Sequence, residues 1–160
     1  MIRVFSLIAI VILVAGAAAA QTTAPVDENA AITKTALNYI EGWYEGNAER
    51  MESALHPDLA KRVVMTDPKT GRSQFQHMGA LALVQATRRG GGTKTPKEKQ
   101  LKEVTILDRF ENAAIVKIVA SDWIDYLSVA KFNGEWKIIN VLWELKPKPP
   151  VQSTSSTAKP

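Results

Sequence analysis

The sequence predicts an α+β fold, with helices in the first half of the folded chain and a mainly antiparallel sheet in the second. Three observations carry this. Apolar residues recur at helical spacing between Ala30 and Glu45. Runs rich in branched and aromatic residues replace that period after Leu101. Asn133-Gly134 supplies the two positive-φ positions of a type I′ turn, so the strands on either side are expected to form a tight hairpin.

Met1 to Ala20 has one charge, Arg3, then an apolar run from Val4 to Val14 and the small-residue stretch AGAAAA. This is the order of a secretory signal, with Ala18 and Ala20 fitting an A-x-A cleavage site. The apolar run is shorter than the roughly 20 residues of a membrane-spanning helix. Cleavage near Ala20, export to a periplasm-like compartment and no permanent membrane anchor are therefore expected. Residues 21–26 are a linker, residues 27–146 the folded domain, and residues 147–160, rich in Pro, Ser, Thr and Lys, a disordered tail. About 140 residues remain after the leader, enough for one domain around one core.

Within the domain, Ile32, Ala36, Ile40 and Trp43 form one helix face, while Lys34, Asn38, Glu41 and Glu45 fall on the opposite arc. Gly46 can close this helix, and Asn47 is an N-cap for a second, AERMESAL. Pro57 disfavours helical geometry at His56 and ends the pattern. KRVVMT then reads as a short strand, DPKTG as a turn, and SQFQHMGALALVQATRR as a third helix that GGG terminates. LKEVTILD, NAAIVKIVA and SDWIDYLSV follow as strands, and KFNGEWKIINVLWEL closes the sheet with the hairpin.

A two-residue hairpin loop fixes the register of the last two strands. With Phe132 opposite Glu135, one face carries Trp123, Asp125, Leu127 and Val129 against Glu144, Leu142, Asn140 and Ile138. The other carries Asp122, Ile124, Tyr126 and Ser128 against Leu145, Trp143, Val141 and Ile139. Asp122 and Asp125 thus lie on opposite faces and cannot form a close carboxylate pair of the glycosidase kind. Trp136 and Trp143 are likewise expected on opposite faces. Both faces are substantially apolar, so one is expected to cover the helices and the other to meet a second subunit.

Several chemistries lack their residues. The chain has no Cys, which removes disulfides, thiolate metal sites and a lipidated cysteine. It has two His and no H-x-x-x-H pair, so neither a metal nor a cofactor is expected. No Ser stands in G-x-S-x-G, and Gly90 to Gly92 follow a helix without opening a G-x-G-x-x-G turn. The formal charge of +4, or +3 without Arg3, is concentrated in the tail and in RRGGGTKTPKEKQLK. No aromatic residue interleaves those cations for base stacking, so a solvated, mobile loop is expected and nucleic acid is not expected as a partner of an exported chain.

YIEGWYEGNAERMESALHPDL and DWIDYLSVAKFNGEWKIINVLWE together resemble the nuclear transport factor 2-like superfamily, close to its lumazine-binding-type and SnoaL-like cyclase members. The resemblance spans about Asp27 to Glu144. It implies a cone-shaped α+β fold in which N-terminal helices pack in a strongly curved sheet, with a cavity between them and homodimerisation through the sheet. It also places Trp43, Tyr44, His56, Asp125, Asn140 and Trp143 where members of this fold line or border the cavity. The superfamily holds isomerases, dehydratases and cyclases as well as binding domains, and fold alone does not choose among them. No catalytic residue is carried over. Two functions are expected as alternatives: an exported binding or accessory domain for a small apolar or aromatic molecule, or an acid/base enzyme using Asp125 with a tyrosine or His56.

Overall fold

The structure is a computed structural model and describes residues 27–147. The expected signal, linker and nearly all of the expected tail lie outside the described residues.

Helix α1, Glu28–Glu45, begins where Asp27 accepts hydrogen bonds from the Asn29 and Ala30 N–H groups. It ends at Gly46, whose φ of 68° is the left-handed closure that a Cβ disfavours. Asn47 then caps α2, Ala48–Ala54, by accepting from the Arg50 N–H. Ile32, Ala36 and Ile40 of α1 and Met51 of α2 are fully buried, as the periodicity requires.

Strand β1 runs from Leu55 to Thr66, twice the length expected, and turns at Asp67 to Gly71 into β2, Ser73–Gly79. Here the expectation is corrected: helix α3 covers only Ala80–Arg88, because Ser73 to Gly79 pair antiparallel with β1 from Thr66 back to Ala60. A turn this tight returns the chain alongside β1, whose ladder satisfies backbone groups that a lone helix end would leave open. Strands β3 (Lys102–Phe110), β4 (Ala113–Ala120), β5 (Trp123–Phe132) and β6 (Glu135–Leu145) complete a sheet ordered β2-β1-β6-β5-β4-β3. Only β1 and β6 pair in parallel.

The three helices pack on one face of this curved, unclosed sheet, an α+β fold as expected. Val116, Ile118, Leu127, Ile138 and Val141 point from the sheet into the helical layer and are fully buried. Glu28 ties the start of α1 to the hairpin: it accepts from Lys131 Nζ and from Trp136 Nε1, each at 2.6 Å. Thr35 adds a hydrogen bond to the Trp136 carbonyl at 3.1 Å.

The hairpin register holds only as far as Val129 opposite Ile138. Beyond it a β-bulge intervenes, so Ser128 faces Asn140 and Asp125 faces Trp143, leaving Ile139 without a partner. An extra residue on one strand inverts every face assignment after it. Trp136, Ile138, Val141 and Trp143 consequently all reach the helical side, and the expectation that the two tryptophans part is corrected.

Candidate functional site

A pocket of about 340 Å³ lies between the helices and one end of the sheet. Its walls are aromatic and thioether: Trp43, Trp123 and Trp143, with Met51, Met78 and Leu83. The exposed Asp122 and Leu145 also line it, alongside Tyr39, Ile40 and Lys61.

Trp43 packs closely against the loop after α3. A Cβ on Gly91 or Gly92 would overlap the Trp43 indole, so both positions need glycine for the loop to pack directly on that ring. The basic loop is thus seated on a pocket wall. Hydrogen bonds from Thr93 Oγ1 to the Gly90 carbonyl (2.9 Å) and from Gln100 Nε2 to the Thr95 carbonyl (2.9 Å) hold its turns.

The polar floor is a network that charge pairing assembles. Lys61 stands between Leu59 and Val63 on the inward side of β1, where the parallel pairing sets it beside Val141 of β6. Its Nζ donates to Asp125 Oδ1 at 2.6 Å and to the Tyr39 hydroxyl at 2.7 Å. The Tyr39 hydroxyl donates to the same Oδ1 at 3.3 Å, and Trp123 Nε1 donates to Oδ2 at 2.7 Å. Asp125 is fully buried, so an ionised carboxylate there needs this full set of donors. Lys61 Nζ also stands 4.9 Å from the Trp143 ring centre, within cation–π range.

Titration in the network follows burial first. Burial lowers the Lys61 ammonium below its ordinary pKa, against the opposing pull of Asp125. Burial likewise pushes the Tyr39 phenol well above its usual value, and the neighbouring Asp125 charge adds to the effect. Tyr39 is therefore a neutral donor at any ordinary pH. Because both oxygens of Asp125 already accept hydrogen bonds, the carboxylate is engaged as a structural counter-ion.

The candidates named from sequence fall into two groups. Trp43 and Trp143 line the pocket, and Asp125 lies beneath it through Lys61. Tyr44 packs against Trp123 at 6.0 Å between ring centres, but its hydroxyl braces the sheet corner, donating to the Leu101 carbonyl and accepting from the Ser121 N–H, each at 3.0 Å. His56 and Asn140 lie elsewhere. β1 already begins at Leu55, which places His56 against Phe132 at the hairpin end, 4.3 Å between rings, with Nδ1 accepting from the Asp58 N–H at 3.1 Å. The bulge turns Asn140 to the outer face, where it accepts from Arg62 at 3.0 Å. Asp125 and His56 therefore do not converge, whereas Asp125 and the Tyr39 hydroxyl do, at 3.3 Å.

Lys61, Trp123 and Met78 were not singled out from the sequence, and Tyr39 only as one of the tyrosines able to act with Asp125. The one available signal was the lysine in LAKRVV, at an inward position between Leu59 and Val63. Among the described residues no group of three or more His, Cys, Asp or Glu is placed to hold a metal ion.

A curved sheet around three helices, with a pocket between them, defines a nuclear transport factor 2-like domain. Residues 27–144 match the family model described as "Putative lumazine-binding", and the chain belongs to that family. Among solved structures, it is similar to a protein of this fold and of unknown function from Shewanella baltica, at 18% identity and TM-score 0.60, covering 79% of this chain and 99% of that one. A second, from Methylobacillus flagellatus, is 19% identical with TM-score 0.59, covering 78% and 96%. A third, from Silicibacter pomeroyi, is 13% identical with TM-score 0.55, covering 74% and 95%. No curated protein matches the chain.

Proposed function

We propose that the protein is an exported small-molecule-binding domain whose pocket receives a largely apolar, aromatic molecule. The observation that carries this is the pocket itself: three tryptophans and two methionines around a single cation whose charge Asp125 already balances. Its volume of about 340 Å³ is at the small end of ligand sites, enough for a one- or two-ring compound. Export is supported by the leader-like order of Met1 to Ala20. Homodimerisation is supported by the outer sheet face, where Tyr126 pairs with Leu142 and both are more than 40% exposed.

Native mass spectrometry of the protein recovered from its exported compartment tests the reading. A processed chain, as a dimer retaining an aromatic small molecule, is the expected result. An empty chain that also fails to bind any of a panel of one- and two-ring aromatics sinks the binding function, and retention of Met1 to Ala20 sinks export. One observation favours a second reading as an acid/base enzyme: Lys61, lowered by burial, stands in a pocket beside a neutral tyrosine hydroxyl. Turnover abolished by Lys61→Arg, with ligand binding retained, would establish it.

A further inference from the structure

Resting on the binding function above, and narrowing it to a ligand class, we infer that the pocket selects planar aromatic molecules carrying a neutral ring carbonyl, with that oxygen accepting a hydrogen bond from Lys61 Nζ. The walls ask for a flat ring. Trp43, Trp123 and Trp143 each line the pocket, and the close packing of Gly91 and Gly92 on the Trp43 indole restricts that ring as a surface for stacking.

The floor asks for one acceptor. An ammonium has three N–H donors. Asp125 and Tyr39 take two, and among the described residues no third hydrogen-bond acceptor is bonded to Nζ, which also stands 4.9 Å from the Trp143 ring centre and 5.5 Å from that of Tyr39. Lys61 itself lines the pocket, and its side chain keeps 12% exposure while Asp125 keeps none. The ammonium is thus the cation a ligand in the pocket can reach, whereas the Asp125 carboxylate is sealed beneath it.

Charge balance then decides which acceptor. Lys61 and Asp125 form a neutral pair. A ligand carboxylate brought to Lys61 would add an uncompensated anion to a largely apolar site that the exposed Asp122 also lines. A ring carbonyl accepts the hydrogen bond and leaves the balance unchanged. A plain hydrocarbon fits the walls but must cover the ammonium without offering it an acceptor.

The test compares three two-ring probes of similar size on the full chain: coumarin (neutral ring carbonyl), naphthalene (no acceptor) and 2-naphthoate (anion). Titrations are followed by ¹H–¹⁵N NMR of the indole N–H signals, with Trp136, bonded to Glu28 in the core, as the internal reference. Coumarin is expected to bind about tenfold or more tighter than either competitor, the ratio corresponding to one hydrogen bond to a charged donor. The Lys61→Met/Asp125→Leu pair variant removes both charges together and is expected to bind coumarin and naphthalene equally, with naphthalene no weaker than in wild type. Equal binding of coumarin and naphthalene by the wild type overturns the ligand class while leaving small-molecule binding intact. Tighter binding of 2-naphthoate also overturns it, in favour of an anion site. If none of the three shifts the Trp43, Trp123 or Trp143 signals, both this inference and the binding function fall. The wild-type ranking decides the matter whether or not the pair variant folds.

Discussion

Removing one partner of the Lys61–Asp125 pair should damage the fold far more than removing both. Asp125 is fully buried and accepts from Lys61 at 2.6 Å, Trp123 at 2.7 Å and Tyr39 at 3.3 Å. In Asp125→Leu the ammonium loses its counter-ion, for which the expected loss is about 3–5 kcal/mol. Lys61→Met leaves the carboxylate its Tyr39 and Trp123 donors, so its cost should fall near the lower end, about 3 kcal/mol. In the pair variant no charge remains, and what is lost is the acceptor for two neutral donors, about 1 kcal/mol each. The pair variant is then expected within about 2 kcal/mol of wild type, less damaged than either single variant.

Urea unfolding followed by far-ultraviolet circular dichroism measures all four proteins. A second signature comes from pH. The folded-state pKa of Lys61 lies below its ordinary value of 10.5, so the unfolded chain binds more protons in the interval between the two. Stability from this group therefore rises with pH across that interval. Without the carboxylate that opposes burial, the folded pKa falls further, so Asp125→Leu should gain stability over a wider alkaline range than wild type does. Additive losses in the four-protein cycle, or a neutral Lys61→Met, would refute the account of the pocket floor.

Three further outcomes follow from contacts described above. Gly91→Ala puts a methyl into the Trp43 indole and should cost about 1–3 kcal/mol by overpacking, with a perturbed Trp43 indole signal; an unchanged spectrum would mean the loop does not hold that wall. Gly46→Ala meets both the positive φ of 68° and a close Thr93 methyl, and should cost about 1 kcal/mol or more in urea unfolding. Lys131, then Trp136, hold Glu28 below its ordinary pKa of 4.5, so its contribution is intact above pH 4.5 and is lost as pH falls through the folded value. Glu28→Gln should flatten the stability-against-pH curve below 4.5, and a slope identical to wild type would assign acid sensitivity to the other lowered groups, Glu41, Asp67 and Glu135.

Local physics made much of the fold legible. Helix α1, its closure at Gly46, the cap at Asn47 and the Asn133-Gly134 hairpin each rest on interactions spanning a few residues, and each stands where the sequence places it. Alternation likewise set Asp125 on one face with Leu127 and Val129, but both faces read as substantially apolar, so which of them is buried was decided by the packing of the helices. Where the signal was weak, in SQFQHMG, the pairing partner decided. Phe75 is 68% exposed, so burial gave that segment no face to register as either period.

The site depended on what no local pattern encodes. Lys61 reaches Asp125 across 64 positions because β1 pairs in parallel with β6, next to β5, a contact between segments with no turn to announce it. Trp143 joins Trp123 in the pocket only because one residue, Ile139, is left out of the ladder, and that same omission sends Asn140 to the opposite face. Sequence by itself therefore determined the first two helices, the later strands and the hairpin, since those follow from short-range periodicity and backbone preference. Tertiary structure alone decided which cation neutralises Asp125 and which tryptophans surround them, because strand order and a single bulge set distances between residues far apart in the chain.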